Sequence, residues 1–176
     1  MLKIKLRGLL FAALFAALTG VIAIIKIPLP FTPVPITLQT VMVLLSGALL
    51  GSNLGALSQI LYVLLGIIGL PIFAGGSSGL GVLFGPTGGY LVGFIIAAFV
   101  VGKLVKKSYL SIIFAMAIAT IIIYISGVIG ALIVTKLSLS KIIVGWVLPF
   151  IIGDIIKLFI AASIAYKVDI KRYLAI

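Results

Sequence analysis

The sequence contains no cysteine, no histidine and only two acidic residues among its 176. The missing thiols exclude a disulfide framework and thiolate chemistry. The missing imidazoles exclude Cys/His zinc sites and every histidine-dependent catalytic triad. Charge of either sign is scarce, at 9% of residues against roughly one quarter in soluble domains. Residues 27 to 102 carry no Lys, Arg, Asp or Glu at all. What fills the chain instead is oil: 64% of the residues are hydrophobic and the mean hydropathy is +1.52. A core of this size cannot hide so much apolar surface, so lipid is the natural solvent. The chain reads as a single integral membrane domain, residues 1–176.

Thirteen basic residues against the two acids give a net charge of +11. In a soluble protein that balance suggests nucleic-acid binding, but here the positions speak against a nucleic-acid partner. Lys3, Lys5 and Arg7 open the chain, Lys103, Lys106 and Lys107 form an internal cluster, and Lys167, Lys171 and Arg172 close it. Each cluster marks the end of an apolar segment instead of spreading over one face. The positive-inside rule assigns all three to the cytoplasmic side, where they meet anionic lipid. An even number of spans must then separate each cluster from the next.

The first apolar segment, 8–25, lacks a small-x-small cleavage site and is expected to stay as a membrane helix. Pro28, Pro30, Pro33 and Pro35 interrupt the chain next, then the turn 51–55, then the glycine-rich stretch 69–89. Between these breaks, helices are expected at 36–50, 55–70 and 87–102, followed by long spans at 108–135 and 142–166. The expected fold is therefore all-α, with six transmembrane helices and both termini cytoplasmic. The proline loop 26–36, the glycine loop 70–88 and the turn 136–141 fall on the outer side. The stiff proline loop is expected to serve there as a lid over a substrate.

Asp154 and Lys157 are the charged residues set well inside a span, and their spacing of three puts them on one helix face. Such groups are costly in lipid and mark a functional site by default. A self-neutralising pair that organises helix packing is the plainer reading. As a site, the pair offers an acceptor beside a donor, which suits a cyclic urea: its N–H donates to a carboxylate and its carbonyl accepts from an ammonium. The run Gly75, Gly76, Ser77, Ser78 leads on to Pro86, Gly88, Gly89 and Tyr90, where a helix start exposes amides to an anion. The same glycines also suit an ordinary connector. Gln39, with Thr37 and Thr40, either reaches a ligand or caps the second span. Tyr90 and Trp146 read equally as interfacial anchors or contacts. Ala12/Ala16 and Ala13/Ala17 repeat small residues at a spacing of four, a flat face for another helix.

Catalysis finds little support. Asp169 lies in the basic tail, so Asp154 has no facing carboxylate. The glycine loop lacks the Gly-Lys-Ser/Thr ending of a phosphate loop, and there is no relay of acids. If the chain takes part in active transport, the energy comes from another protein.

Three strings, PVPITLQT (33–40), FAGGSSGLGVLFGPTGGYLVGF (73–94) and IIGDIIK (151–157), resemble in order the BioY family, the biotin-specific S components of energy-coupling factor (ECF) transporters. The resemblance implies a high-affinity biotin-binding membrane protein of a prokaryotic cell membrane, not an enzyme and without a cofactor. Its implied partners are biotin, a transmembrane coupling protein and two ABC-type ATPases. It puts Asp154 and Lys157 at the ureido ring and the glycine loop (Gly75, Gly76, Ser77, Ser78, Gly88) around the ligand. Gln39 contributes a polar group, and Phe31, Phe73, Leu80 and Tyr90 supply apolar walls. It makes Ala12, Ala13, Ala16 and Ala17 the docking face for the coupling protein. No arginine is placed to hold the carboxylate, which falls to loop amides or Lys26. An S component for another vitamin, and a non-transporting membrane assembly subunit, are the alternatives.

Overall fold

The computed structural model describes residues 6–168. Lys3, Lys5, Asp169, Lys171 and Arg172 lie outside the described residues. Helix α1 (Leu6–Ile24) leads into a ribbon of β1 (Lys26–Leu29) and β2 (Thr32–Thr37). Then come α2 (Gln39–Leu50), α3 (Ser52–Ile67), the single turn α4 (Leu80–Leu83), α5 (Gly88–Leu104) and α6 (Tyr109–Val134). The described chain ends with α7 (Leu139–Trp146), a 3-10 turn (Leu148–Phe150) and α8 (Ile151–Lys167).

By length and composition, three segments are able to cross a membrane: Leu6–Ile24, Tyr109–Val134 and the broken Leu139–Lys167. The apolar helices α2, α3 and α5 have only 12, 16 and 17 residues. At 1.5 Å per residue they reach about 18, 24 and 26 Å, short of the ~30 Å hydrocarbon layer. The bundle's outside is oily, with Leu10, Phe114, Ile133 and Ile152 largely exposed. In water such a surface would aggregate; in lipid it is the correct face.

Small residues let these helices close on one another, as lipid-embedded packing requires. A side chain at Gly89 of α5 would strike Gly130 and the Ser126 carbonyl of α6, and one at Gly47 of α2 would strike the Ala98 carbonyl of α5. The α2–α3 turn, with Gly51 at φ +83°, lies against Gly102 near the end of α5. Exposed Lys103, Lys106 and Lys107 follow directly, at that end of the bundle. A buried polar knot joins the first three helices. The Gln59 amide donates to Ser46 at 3.2 Å and Ser58 at 3.1 Å, with Thr19 at 3.5 Å.

The fold is mostly helical, as expected, with two departures from the expected elements. The proline segment is an antiparallel ribbon, pairing Lys26 with Thr37, Ile27 with Ile36 and Leu29 with Thr32, its register shifting around Pro28. Prolines forbid a helix there, but in a two-stranded ribbon both strands are edges and tolerate missing N–H groups. The last apolar segment is also not one helix: it breaks between Trp146 and Ile151, with Pro149 in the 3-10 turn.

Candidate functional site

The ribbon, the glycine loop and the break before α8 surround a cavity of about 350 Å³, within the range of small-molecule pockets. Helices α2, α5 and α8 all begin at it, so their N-terminal turns present positive dipole ends. The break between α7 and α8 has a direct consequence. It makes Asp154 a first-turn residue of α8, where a carboxylate is favoured.

Asp154 and Lys157 are 6% and 8% exposed, and both line the cavity. The Lys157 ammonium donates to Asp154 Oδ1 at 2.8 Å, and the Tyr124 hydroxyl of α6 donates to Oδ2 at 2.5 Å. The pair is thus neutral overall and tied to a second helix. Its hydrogen-bonding capacity is not exhausted. An ionised carboxylate has about four acceptor sites and an ammonium three donors, so each group retains some to offer a ligand.

The walls are aromatic. The Phe73 ring is buried against the face of Gly66, with which any Cβ would clash, and meets Tyr62 edge-on at 5.5 Å. Tyr90 lies over Gly127 of α6 in the same manner, and its hydroxyl donates to the Trp146 carbonyl at 2.8 Å. Phe94, Ile123 and Phe150 add to the apolar lining, together with Val34, Val82 and Leu91. Polar groups come from the start of α2. Gln39 is committed to its neighbours, accepting from Thr37 at 3.0 Å and donating to Tyr62 at 2.6 Å. Thr40 lines the same cavity, and its buried Oγ1 has no hydrogen-bond partner.

Of the residues singled out from the sequence, Asp154, Lys157, Gln39, Ser77, Phe73 and Tyr90 line the cavity, with Lys26, Thr37, Thr40 and Trp146. Gly75, Gly76, Ser78, Gly88, Phe31 and Leu80 stand outside its lining. Phe31 is 61% exposed at the ribbon's tip and Leu80 is 55% exposed. Gly88 packs against the Leu83 carbonyl, while Gly75 and Gly76 take φ of +70° and +77° to reverse the chain. That reversal closes with the Phe73 amide donating to the Ser77 carbonyl at 2.9 Å. These glycines therefore shape the loop and do not touch the cavity. The alanine face also divides. Ala12 and Ala16 are buried inside the bundle at 0% and 1% exposure, and only Ala13 and Ala17 face outward.

Tyr124 escaped the sequence reading. Its one signal is a hydroxyl in the middle of a long apolar span, away from the interfaces where tyrosine normally sits. Among the described residues no group of His, Cys, Asp or Glu is arranged to hold a metal ion.

A model of the BioY family matches residues 1–173. The chain belongs to the BioY family. The biotin transporter BioY of Thermotoga maritima is 46% identical over 172 residues, covering 95% of this chain and 100% of that protein. The probable biotin transporter BioY of Pyrococcus horikoshii is 39% identical, covering 94% and 98%. A crystal structure described as the S-component for biotin from an ECF-type ABC transporter superposes with a TM-score of 0.84. It is 26% identical, and the match covers 95% of this chain and 93% of the other. Every residue lining the cavity of this BioY-family chain falls within the stretch that the family model matches.

Proposed function

We propose that this protein is the biotin-binding S component of an ECF-type ABC transporter. It crosses the cytoplasmic membrane of a prokaryotic cell six times, with both termini inside. The observation that carries this reading is the buried Asp154–Lys157 pair opening on a mainly apolar cavity, in a chain whose relatives are named biotin transporters. Biotin's ureido N–H donates to Asp154 and its ureido carbonyl accepts from Lys157. Phe73, Tyr90, Trp146 and Phe150 hold the apolar bicycle. Thr40 supplies a hydroxyl whose hydrogen-bonding capacity is otherwise unmet.

The β1–β2 ribbon and the glycine loop, whose Ser77 lines the cavity, form the lid on the outer side. The chain carries no nucleotide-binding motif, so a transmembrane coupling protein and two ABC-type ATPases supply the work that reorients the loaded domain. Ala13 and Ala17, which face outward on α1, are the small residues a coupling helix can approach. The protein is not itself an enzyme and uses no cofactor.

The test is a binding titration of detergent-purified protein with biotin, riboflavin, thiamine and folate in parallel. Saturable one-to-one binding of biotin alone is expected. Preference for another vitamin, or no binding of any, overturns the proposal.

A further inference from the structure

The charges lining the cavity do not cancel. Asp154 and Lys157 neutralise each other, which leaves Lys26 as an uncompensated cation in the lining. Among the described residues Lys26 has no acidic partner, since Asp154 is the single acid there and is already taken. The cavity therefore carries a net charge of about +1, complementary to a ligand with one negative charge.

Lys26 is also held in place. It is the first residue of β1, paired with Thr37 across the ribbon. The outer part of its side chain, Cδ through Nζ, lies in the space that a Cβ on Gly75 would occupy. Gly75 is itself anchored, its amide donating to the Ala23 carbonyl at the end of α1 at 2.9 Å. Three segments thus meet at one point: the end of α1, the start of the ribbon and the glycine turn. Lys26 is thus an exposed lining residue on the ribbon, an element separate from α6 and α8, which carry Tyr124 and Asp154.

We propose that Lys26 is the anion-recognition residue of this site, pairing with the carboxylate of the ligand's tail while Asp154 and Lys157 hold its polar ring. This rests on the biotin reading and adds a selectivity to it: the protein distinguishes an acid-tailed ligand from its neutral counterpart. It also gives the ribbon a reason to close, because the tail draws in the strand that carries Lys26. Lys26 is exposed, so added salt weakens the pairing.

The experiment compares biotin with its neutral primary amide, on wild type, Lys26→Gln and Lys26→Arg, at low and moderate salt. Wild type is expected to prefer biotin over the amide by at least tenfold, with the preference shrinking as salt rises. In Lys26→Gln the amide affinity stays at its wild-type value, which shows a folded cavity, and biotin falls to match it. Lys26→Arg restores the preference. A Lys26→Gln protein that keeps the wild-type preference overturns the assignment to Lys26 and leaves biotin recognition standing. A wild type that binds neither compound removes the biotin reading itself, and this inference with it.

Discussion

At the residue scale, the pair Asp154–Lys157 is legible in the sequence because charges are so rare there that two of them three residues apart in an oily segment stand out. Tyr124 is not legible, since its partnership with Asp154 spans 30 residues and depends on how α6 packs beside α8. Thr40 lies between: a polar residue next to Gln39 draws notice, but only the packed structure shows that Gln39 is satisfied by Thr37 and Tyr62 while Thr40 is left over. That difference gives a prediction with two opposite signs. Thr40→Val removes a hydroxyl that makes no internal hydrogen bond, so thermal stability in detergent should hold or rise slightly. Biotin affinity should fall by about fivefold, the equivalent of about 1 kcal/mol for one neutral hydrogen bond. Parallel melting curves and titrations check it; an unchanged affinity would mean the hydroxyl faces nothing in the complex.

At the scale of elements, the breaks are legible and the shapes they take are not. Four prolines exclude a helix over 28–35 from sequence alone. Strand pairing is non-local, however, and nothing in the composition says that Ile27 will face Ile36. Pro149 is likewise visible, yet its effect is to start a new helix so that Asp154 falls in a first turn. Glycines carry a second role that the sequence does not display. Gly88 and Gly89 look made for a ligand's approach, and the structure shows a packing role for them as well, in close contact with Leu83 and with Gly130 of α6. Gly127 does the same for the Tyr90 ring. Gly127→Val should therefore push Tyr90 off α6 and break its bond to the Trp146 carbonyl. The expected cost is about 1–3 kcal/mol in stability from overpacking, together with a weakened biotin site. A melting temperature and Kd both equal to wild type would show that the wall does not depend on this seat.

At the scale of the whole molecule, the basic clusters and the short inner helices fit the one proposed arrangement in the membrane. Helices α2, α3 and α5 are too short to cross a full hydrocarbon layer, and in the proposed arrangement the ribbon and glycine loop fill the remaining depth at one end, where protein must shield the backbone from lipid. The bundle's other end carries the α2–α3 turn and the Lys103–Lys107 cluster. Because the chain has no cysteine, single labels report its orientation cleanly. A cysteine in place of Ser138 should react with a membrane-impermeant maleimide in intact cells. One in place of Lys106 should react only after permeabilisation. The reverse pattern would contradict the cytoplasmic assignment of the termini and of the basic cluster.

The most direct test of the central claim is the biotin dissociation constant of wild type, Asp154→Asn, Lys157→Met and the double variant, measured by titration calorimetry beside their melting curves. Removing one partner leaves a buried charge uncompensated, a loss of about 3–5 kcal/mol that can unfold the single variants. The double variant removes both charges and should recover much of that stability. The predicted result is a folded double variant whose biotin affinity is at least a hundredfold weaker than wild type. A folded double variant that binds biotin as tightly as wild type would contradict recognition of the ligand by this pair.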